Sequence, residues 1–303
     1  MPLDRGAERL LRILSASERS AGPPTAPQRR RLLETLAEQA DEPPAAEVAT
    51  RELSLPGPAG PLRARLYAGP RGSAAGLVFF HGGGWVAGGL ATHDGLCRRL
   101  AASSGVRILT VEYRLAPEHR FPAAIEDAKA AARWAADHAG ELGFDPARLA
   151  IGGDSVGGGL AAVVAQDPDA PPLALQLLLC PVLDLAGESP SRRAFADGYF
   201  LDRATLAEDI RAYCGEAADL RDPRLSPALA AGQAPRTLIH AAEFDPFRDE
   251  AEEYGRHLGR AGTAASFTCW PGMIHYFYCL TRAIPSAGPA IEAIGAQLGD
   301  ALA

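Results

Sequence analysis

Leu149-Ala-Ile-Gly-Gly-Asp-Ser-Val-Gly-Gly-Gly-Leu160, running on into Ala161-Ala-Val-Val-Ala165, is the stretch whose reading decides the fold. A short apolar run ends at Gly152 and Gly153, and a helix-length run of small residues starts at Val156, so Ser155 stands where a strand turns sharply into a helix. That is the pattern of a nucleophile elbow, in which the serine backbone is strained and only neighbours without bulk, here Gly153 and Gly157, leave room for it. The turn lifts the hydroxyl clear of the sheet and aims it along the positive end of the next helix. With 32 glycines in 303 residues, a Gly-x-Ser-x-Gly arises by chance in on the order of one chain in ten. The serine therefore needs partners elsewhere in the chain.

Around the elbow the chain alternates. Leu77-Val-Phe-Phe80, Val106 to Val111, Leu149 to Ile151, Leu173 to Cys180, Thr237 to Ala241 and Ser266 to Trp270 are short, mostly apolar strands. Helical segments at Thr92 to Ser103, Pro122 to His138, Val156 to Gln166 and Phe247 to Arg260 lie between most of them. The pattern predicts an α/β fold with a mostly parallel central sheet flanked by helices. In such a sheet, sites form at the carboxyl ends of the strands. Upstream, Arg51 to Leu55 and Leu62 to Tyr67 read as a hairpin around Pro56-Gly-Pro-Ala-Gly60.

Two further pieces do not belong to this alternation. Leu3, Ala7, Leu10, Leu11 and Leu14, and then Leu32, Leu33, Leu36, Ala37 and Ala40, recur at helical spacing on either side of Ala21-Gly-Pro-Pro-Thr-Ala-Pro27. A second proline-rich stretch, Asp41-Glu-Pro-Pro-Ala45, sets this helix pair apart. The interval 184–227 carries Phe195, Tyr199, Phe200, Leu201 and Tyr213, with no core strand and a helix at Arg203 to Cys214, and reads as the second half of a lid. The expected organisation is a helical cap from 1–45 and 184–227, and a core from 46–183 and 228–303.

Net charge is −7 and the basic residues are dispersed, which gives nucleic acid and anionic membranes no footprint. No apolar run is long enough to cross a bilayer, so no stable membrane insertion is expected. Five widely spaced cysteines without a CxxC pair, and charge at Asp4, Arg5, Glu8 and Arg9 where a signal peptide needs an apolar core, point to a cytoplasmic protein with reduced thiols.

Directly after the strand ending at Phe80 comes His81-Gly-Gly-Gly-Trp85. Consecutive glycines let main-chain amides approach a reacting group, and such amides stabilise the oxyanion of acyl transfer. Gly83, Gly84 and the amide of Val156 are the candidate donors. With this loop, the segment Tyr113-Arg-Leu-Ala-Pro-Glu-His-Arg-Phe-Pro-Ala-Ala-Ile-Glu-Asp127, Gly153-Asp-Ser-Val-Gly157, Asp245-Pro-Phe-Arg-Asp-Glu250, and His275 followed by Phe277, the chain resembles the hormone-sensitive lipase branch of the α/β-hydrolases, the bacterial family IV esterases. The resemblance runs from about Gly76 to Phe277. It implies a cofactor-free serine carboxylesterase, without a metal, acting through an acyl-enzyme on small ester substrates of short to medium acyl chain under a helical cap. The chain departs from the family at Val156, where alanine is common, and at Ala242-Glu-Phe-Asp245, where a small residue often precedes the aromatic.

A serine needs a base, and the base an acid, in the family order Ser, acid, His. His81 belongs to the glycine loop, His93, His119 and His138 precede the serine, His257 falls in a helical stretch, and His240 inside a strand reads as a satisfied core histidine. His275, after the expected turn Pro271-Gly-Met-Ile, is the natural base. Asp245 is the first choice of acid, since Pro246 leaves it at a strand tip; Glu243 and Asp249 compete. Asp154 is either a catalytic helper or a structural carboxylate, with Arg114 or a neighbour in the Tyr113 to Asp127 segment as its expected counter-charge. Trp85, Asp154, Phe195, Tyr199, Phe200 and Tyr213 are the candidate pocket residues. A deacetylase or amide hydrolase would use the same machinery. A ligand-binding receptor on this fold would be expected to lack one of the three residues, and a homodimer is compatible with the chain.

Overall fold

The computed structural model describes residues 1–17, 23–42, 47–70, 72–230 and 232–303. The expected loop at Ala21 and the prolines Pro43 and Pro44 lie partly outside them. Among these described residues eight strands form one sheet: β1 Ala49–Gly57, β2 Gly60–Ala68, β3 Gly76–Phe80, β4 Arg107–Val111, β5 Leu149–Asp154, β6 Leu175–Leu179, β7 Arg236–Phe244 and β8 Ala265–Ile274. Their order is β1-β2-β4-β3-β5-β6-β7-β8. The hairpin β1–β2 is antiparallel and joins β4 antiparallel, and every pair from β4 to β8 is parallel. β3, β5 and β6 are buried at every residue. That is why their sequences read as continuous apolar runs, while the exposed β1 alternates.

Among the described residues ten α-helices accompany the sheet: α1 Arg5–Ser17, α2 Ala26–Gln39, α3 Asp94–Ser104, α4 Ala123–Asp137, α5 Ala139–Leu142, α6 Val156–Ala165, α7 Pro190–Ala194, α8 Arg203–Cys214, α9 Arg248–Arg260 and α10 Ala287–Ala301. α10 packs on α3, α4 on α6, and α9 on β7 and β8. Gln28 Oε1 accepts the Thr25 N–H at 2.8 Å and Pro27 occupies the first turn, which starts α2 where the sequence pattern places it. The apolar stripes of the first two helices are turned inward: Ala7 and Leu10 of α1 and Leu33 and Leu36 of α2 are buried.

The strand order places the site. β3 has β4 on one side and β5 on the other, so consecutive connections depart in opposite directions and a crevice opens beyond the carboxyl ends of β3 and β5. Phe80 pairs with Gly153, which brings the loop at His81 beside the turn at Ser155. Two readings of the sequence change. Pro271 to Ile274 is not a turn but the end of β8, because an irregularity between Ala242 and Phe244, with Gly272 at φ 74°, lets pairing resume at Phe244 and Ile274. The C-terminal helix α10, apolar on much of its surface, was not anticipated.

Candidate active site

Ser155 has φ 53° and ψ −124°, a conformation L-residues rarely adopt. Three hydrogen bonds hold it there. Its N–H donates to Leu179 O at 2.8 Å, and its carbonyl accepts from Val182 N at 3.0 Å and Gly159 N at 3.2 Å. A β-carbon on Gly157 would collide with the carbonyls of Phe80 and His81, and one on Gly153 with the backbone of Gly157. The glycines of the elbow are therefore demanded by backbone packed on backbone.

The other two side chains arrive from the neighbouring strands. His275, directly after β8, places Nε2 3.0 Å from Ser155 Oγ, and its Nδ1 lies 2.8 Å from Asp245 Oδ2. Asp245, directly after β7 and fully buried, also accepts the Phe247 N–H on Oδ1 at 2.8 Å. The competitors are engaged elsewhere. Glu243 accepts from Gly272 N at 2.8 Å and pairs with the N-terminal amine, and Asp249 accepts from Ser191 N at 2.7 Å and Arg248 Nε at 2.8 Å. Buried Cys180 adjoins Asp245 and His275, with ligand atoms of the three within 4.8 Å of one another. Burial and the adjacent Asp245 carboxylate push this thiol well above its ordinary pKa, so it remains protonated.

On the facing side, Gly83 and Gly84 have φ of 121° and 66°, backbone conformations that suit glycine. Their N–H groups and that of Val156 have no acceptor among the described residues. Gly83 is held through its carbonyl, which accepts from Ala87 N at 3.0 Å. Asp154 anchors the loop one residue earlier. Its Oδ1 accepts the Gly82 N–H at 2.9 Å, its Oδ2 the Tyr278 hydroxyl at 3.0 Å, and His93 Nε2 stands 3.2 Å from Oδ1. Full burial opposes its ionisation, yet His93, His81 and the Gly82 N–H hold the carboxyl below its usual value. The expected counter-charge was wrong: Arg114 instead forms a bidentate pair with Asp127, 2.8 Å at the closest. His81, stacked on Tyr113 at 4.3 Å, is lowered to about 4 by burial and by His93, and so is neutral. His240 is buried but not satisfied. Neither ring nitrogen has a partner among the described residues, and burial lowers it to about 4.

A small cavity opens against Ser155 and His275, lined also by Gly83, Gly84, Val156, Arg29 and Asp209. Of the candidate pocket side chains only Phe200 lines it. Phe200 stacks on Tyr276 at 5.6 Å, next to the site histidine. Trp85 and Tyr213 stack on each other at 4.7 Å, joining the glycine loop to α8. Phe195 and Tyr199 pack against Phe244, at the tip of β7 beside Asp245. Asp154 lies behind the loop, fully buried. These side chains support the site from outside the cavity, which their apolar sequence context alone did not distinguish. Arg29, Leu206 and Asp209 line it and were not singled out in the sequence.

Residues 77–279 match the model of a family described by the alpha/beta hydrolase fold. The chain belongs to the α/β-hydrolases, on their hormone-sensitive lipase-like branch. Within the family, it is 44% identical to the carboxylic ester hydrolase LipN of Mycobacterium tuberculosis over 77% of this chain and 65% of LipN. It therefore spans just under two thirds of that relative's length. It is 41% identical to an ethyl acetate hydrolase of Pseudomonas putida over 75% of this chain and 74% of that one. Among solved structures, an ester hydrolase from the Lake Arreo metagenome superposes with a TM-score of 0.93 at 38% identity, covering 98% of both chains. The esterase of the archaeon Pyrobaculum calidifontis gives a TM-score of 0.91 at 34% identity over 100% of both.

Proposed function

We propose that the protein is a serine carboxylesterase acting on short- to medium-chain esters. The observation that carries this reading is the continuous relay from Asp245 Oδ2 through His275 to Ser155 Oγ, 2.8 Å and 3.0 Å, beside three backbone N–H groups without acceptors among the described residues. Ser155 Oγ attacks the ester carbonyl as His275 Nε2 takes its proton, and Asp245 holds the ring and offsets the imidazolium charge. The N–H groups of Gly83, Gly84 and Val156 donate to the oxyanion. The carbon–oxygen bond to the alcohol then breaks, and the departing oxygen receives the proton from His275. Water, deprotonated by the same ring, releases the acid from Ser155. Ester hydrolysis in the names of relatives at 41% to 44% identity agrees with this chemistry.

The cavity supports the preference for small substrates, and α2 and α8, which both line it, support reading 1–45 and 184–227 as its cap. No helix among the described residues is long and apolar enough to cross a membrane. The reading includes a cytoplasmic location, where cysteines stay reduced. The test is hydrolysis of p-nitrophenyl esters of increasing acyl length, with an anilide control. The expected result is turnover of the short esters and its loss by on the order of 10⁴- to 10⁶-fold in Ser155→Ala, with the far-ultraviolet spectrum unchanged. Undiminished hydrolysis by that variant overturns the assignment.

A further inference from the structure

Apart from the reacting groups, the cavity wall is largely apolar, with Leu33, Val182, Leu201, Leu206 and Phe247 among its lining. Into it two sequence-distant helices insert opposite charges. Arg29 from α2 and Asp209 from α8 both line the cavity, Nη2 to Oδ2 at 3.1 Å, with side chains only 9% and 3% exposed. Asp209 also stands directly against the glycine loop, since a β-carbon on Gly84 would collide with its carboxylate. The pair is thus a few ångströms from where an ester carbonyl must bind.

A contact that merely fastened one half of the cap to the other would be served as well by two aliphatic side chains, because a buried ion pair rarely gains over apolar groups of the same size. The cost is visible at Asp209, which burial pushes up to about 6 against the opposing influence of Arg29. The pair is also incomplete. Arg29 Nε is buried without an acceptor, and Asp209 accepts one hydrogen bond, from Arg29, among the described residues. Unspent donor and acceptor capacity therefore belongs to a pair that lines an otherwise apolar pocket. Charge decides what completes them. The pair is neutral as a whole, so an anionic substituent would set a second negative charge beside Asp209 and the developing oxyanion, and an ammonium group would compete with Arg29. A neutral hydroxyl does neither, and its oxygen accepts from the guanidinium while its hydrogen goes to the carboxylate.

We propose that Arg29 and Asp209 form a polar subsite of the ester pocket, and that the protein prefers esters bearing a neutral hydroxyl group near the ester carbonyl over their alkyl counterparts. This inference rests on the esterase reading above. It is tested with isosteric pairs that place the hydroxyl on either side of the ester: ethyl 3-hydroxybutanoate against ethyl 3-methylbutanoate, and 2-hydroxyethyl butanoate against propyl butanoate. A pocket built to bond a substrate hydroxyl discriminates against the analogue lacking it. The expected result is a kcat/KM ratio favouring the hydroxylated member of at least one pair by about 10-fold or more over the same ratio in Arg29→Met/Asp209→Leu. Comparing ratios between the two proteins cancels the intrinsic reactivity of the esters. Ratios unchanged by the double substitution in both pairs overturn the proposal. Should that variant fail to fold, calorimetry on Ser155→Ala reads the same preference without turnover, and equal affinity for both members of each pair overturns it. Absence of turnover with every ester, p-nitrophenyl butanoate included, marks instead a failure of the esterase reading itself.

Discussion

Replacing Ser155 by glycine is expected to give a more stable protein than replacing it by alanine, the reverse of the usual order. At φ 53° and ψ −124° a residue with a β-carbon carries about 1–3 kcal/mol of backbone strain, which glycine does not. Glycine gives back about 0.5–1 kcal/mol through the freedom of its unfolded chain. Ser155 lines the cavity, and a single β-carbon forfeits little packing when removed there. Both variants lack the hydroxyl, and its hydrogen bond to His275 cancels from the comparison. The glycine variant should therefore lead by about 0.5–2 kcal/mol. For 303 residues at about 2.1 cal/mol/K each, that is a Tm higher by about 1–3 °C. Thermal and urea unfolding of the two inactive proteins, followed by circular dichroism, make the measurement. An alanine variant equal to or more stable than the glycine variant would refute the claim that the elbow stores strain to present its hydroxyl.

Tyr278→Phe removes one of the donors to the buried Asp154 carboxylate and should cost about 1.5–3 kcal/mol in urea unfolding; a loss under about 0.5 kcal/mol would mean that Gly82 and His93 suffice to hold it. Asp209→Asn should change how stability depends on pH. The folded carboxyl is raised from 3.8 to about 6, so below about pH 3 it is protonated in both states and its contribution is full, and that contribution is lost as the pH rises through about 6. Wild type measured against the asparagine variant should therefore lose about 2.4 kcal/mol between pH 4 and pH 7, at 1.36 kcal/mol per unit. A difference that does not vary with pH would show that Asp209 titrates normally.

The elbow, the glycine loop and the parallel sheet were legible because each depends on local pattern. Glycine is required where backbone meets backbone, as at Gly157 against Phe80 and His81, and fully buried parallel strands leave unbroken apolar runs. Asp245 was separable from Glu243 and Asp249 by position alone, because the side chain at a strand tip faces the crevice, whereas Glu243 turns to Gly272 and Asp249 to Ser191. The partner of Asp154 was not legible. His93 lies 61 residues away and Tyr278 124 residues away, and only the docked loops bring them to one carboxylate. The same holds for the aromatic residues of the insertion. Phe195, Tyr199 and Tyr213 carry the same composition signal as Phe200, and whether each faces the cavity or braces its wall is settled by packing.

Arg29 and Asp209 are the more instructive omission, since half of their signal was in the sequence. Arg29 stands in the run Arg29-Arg30-Arg31, which suggests a solvated face, yet it is spaced i, i+4, i+7 with Leu33 and Leu36, so helical geometry puts it on the inward stripe. Asp209 repeats the pattern in α8, where it shares a buried stripe with Thr205 and Tyr213. A charge on an apolar stripe must find an opposite charge or give up its own. What no spacing could supply is that these two such charges, 180 residues apart, meet above the same serine. The β-carbon missing from Gly84 leaves the room that Asp209 occupies, so the glycine loop that exposes amides to a substrate also admits the charged pair beside it.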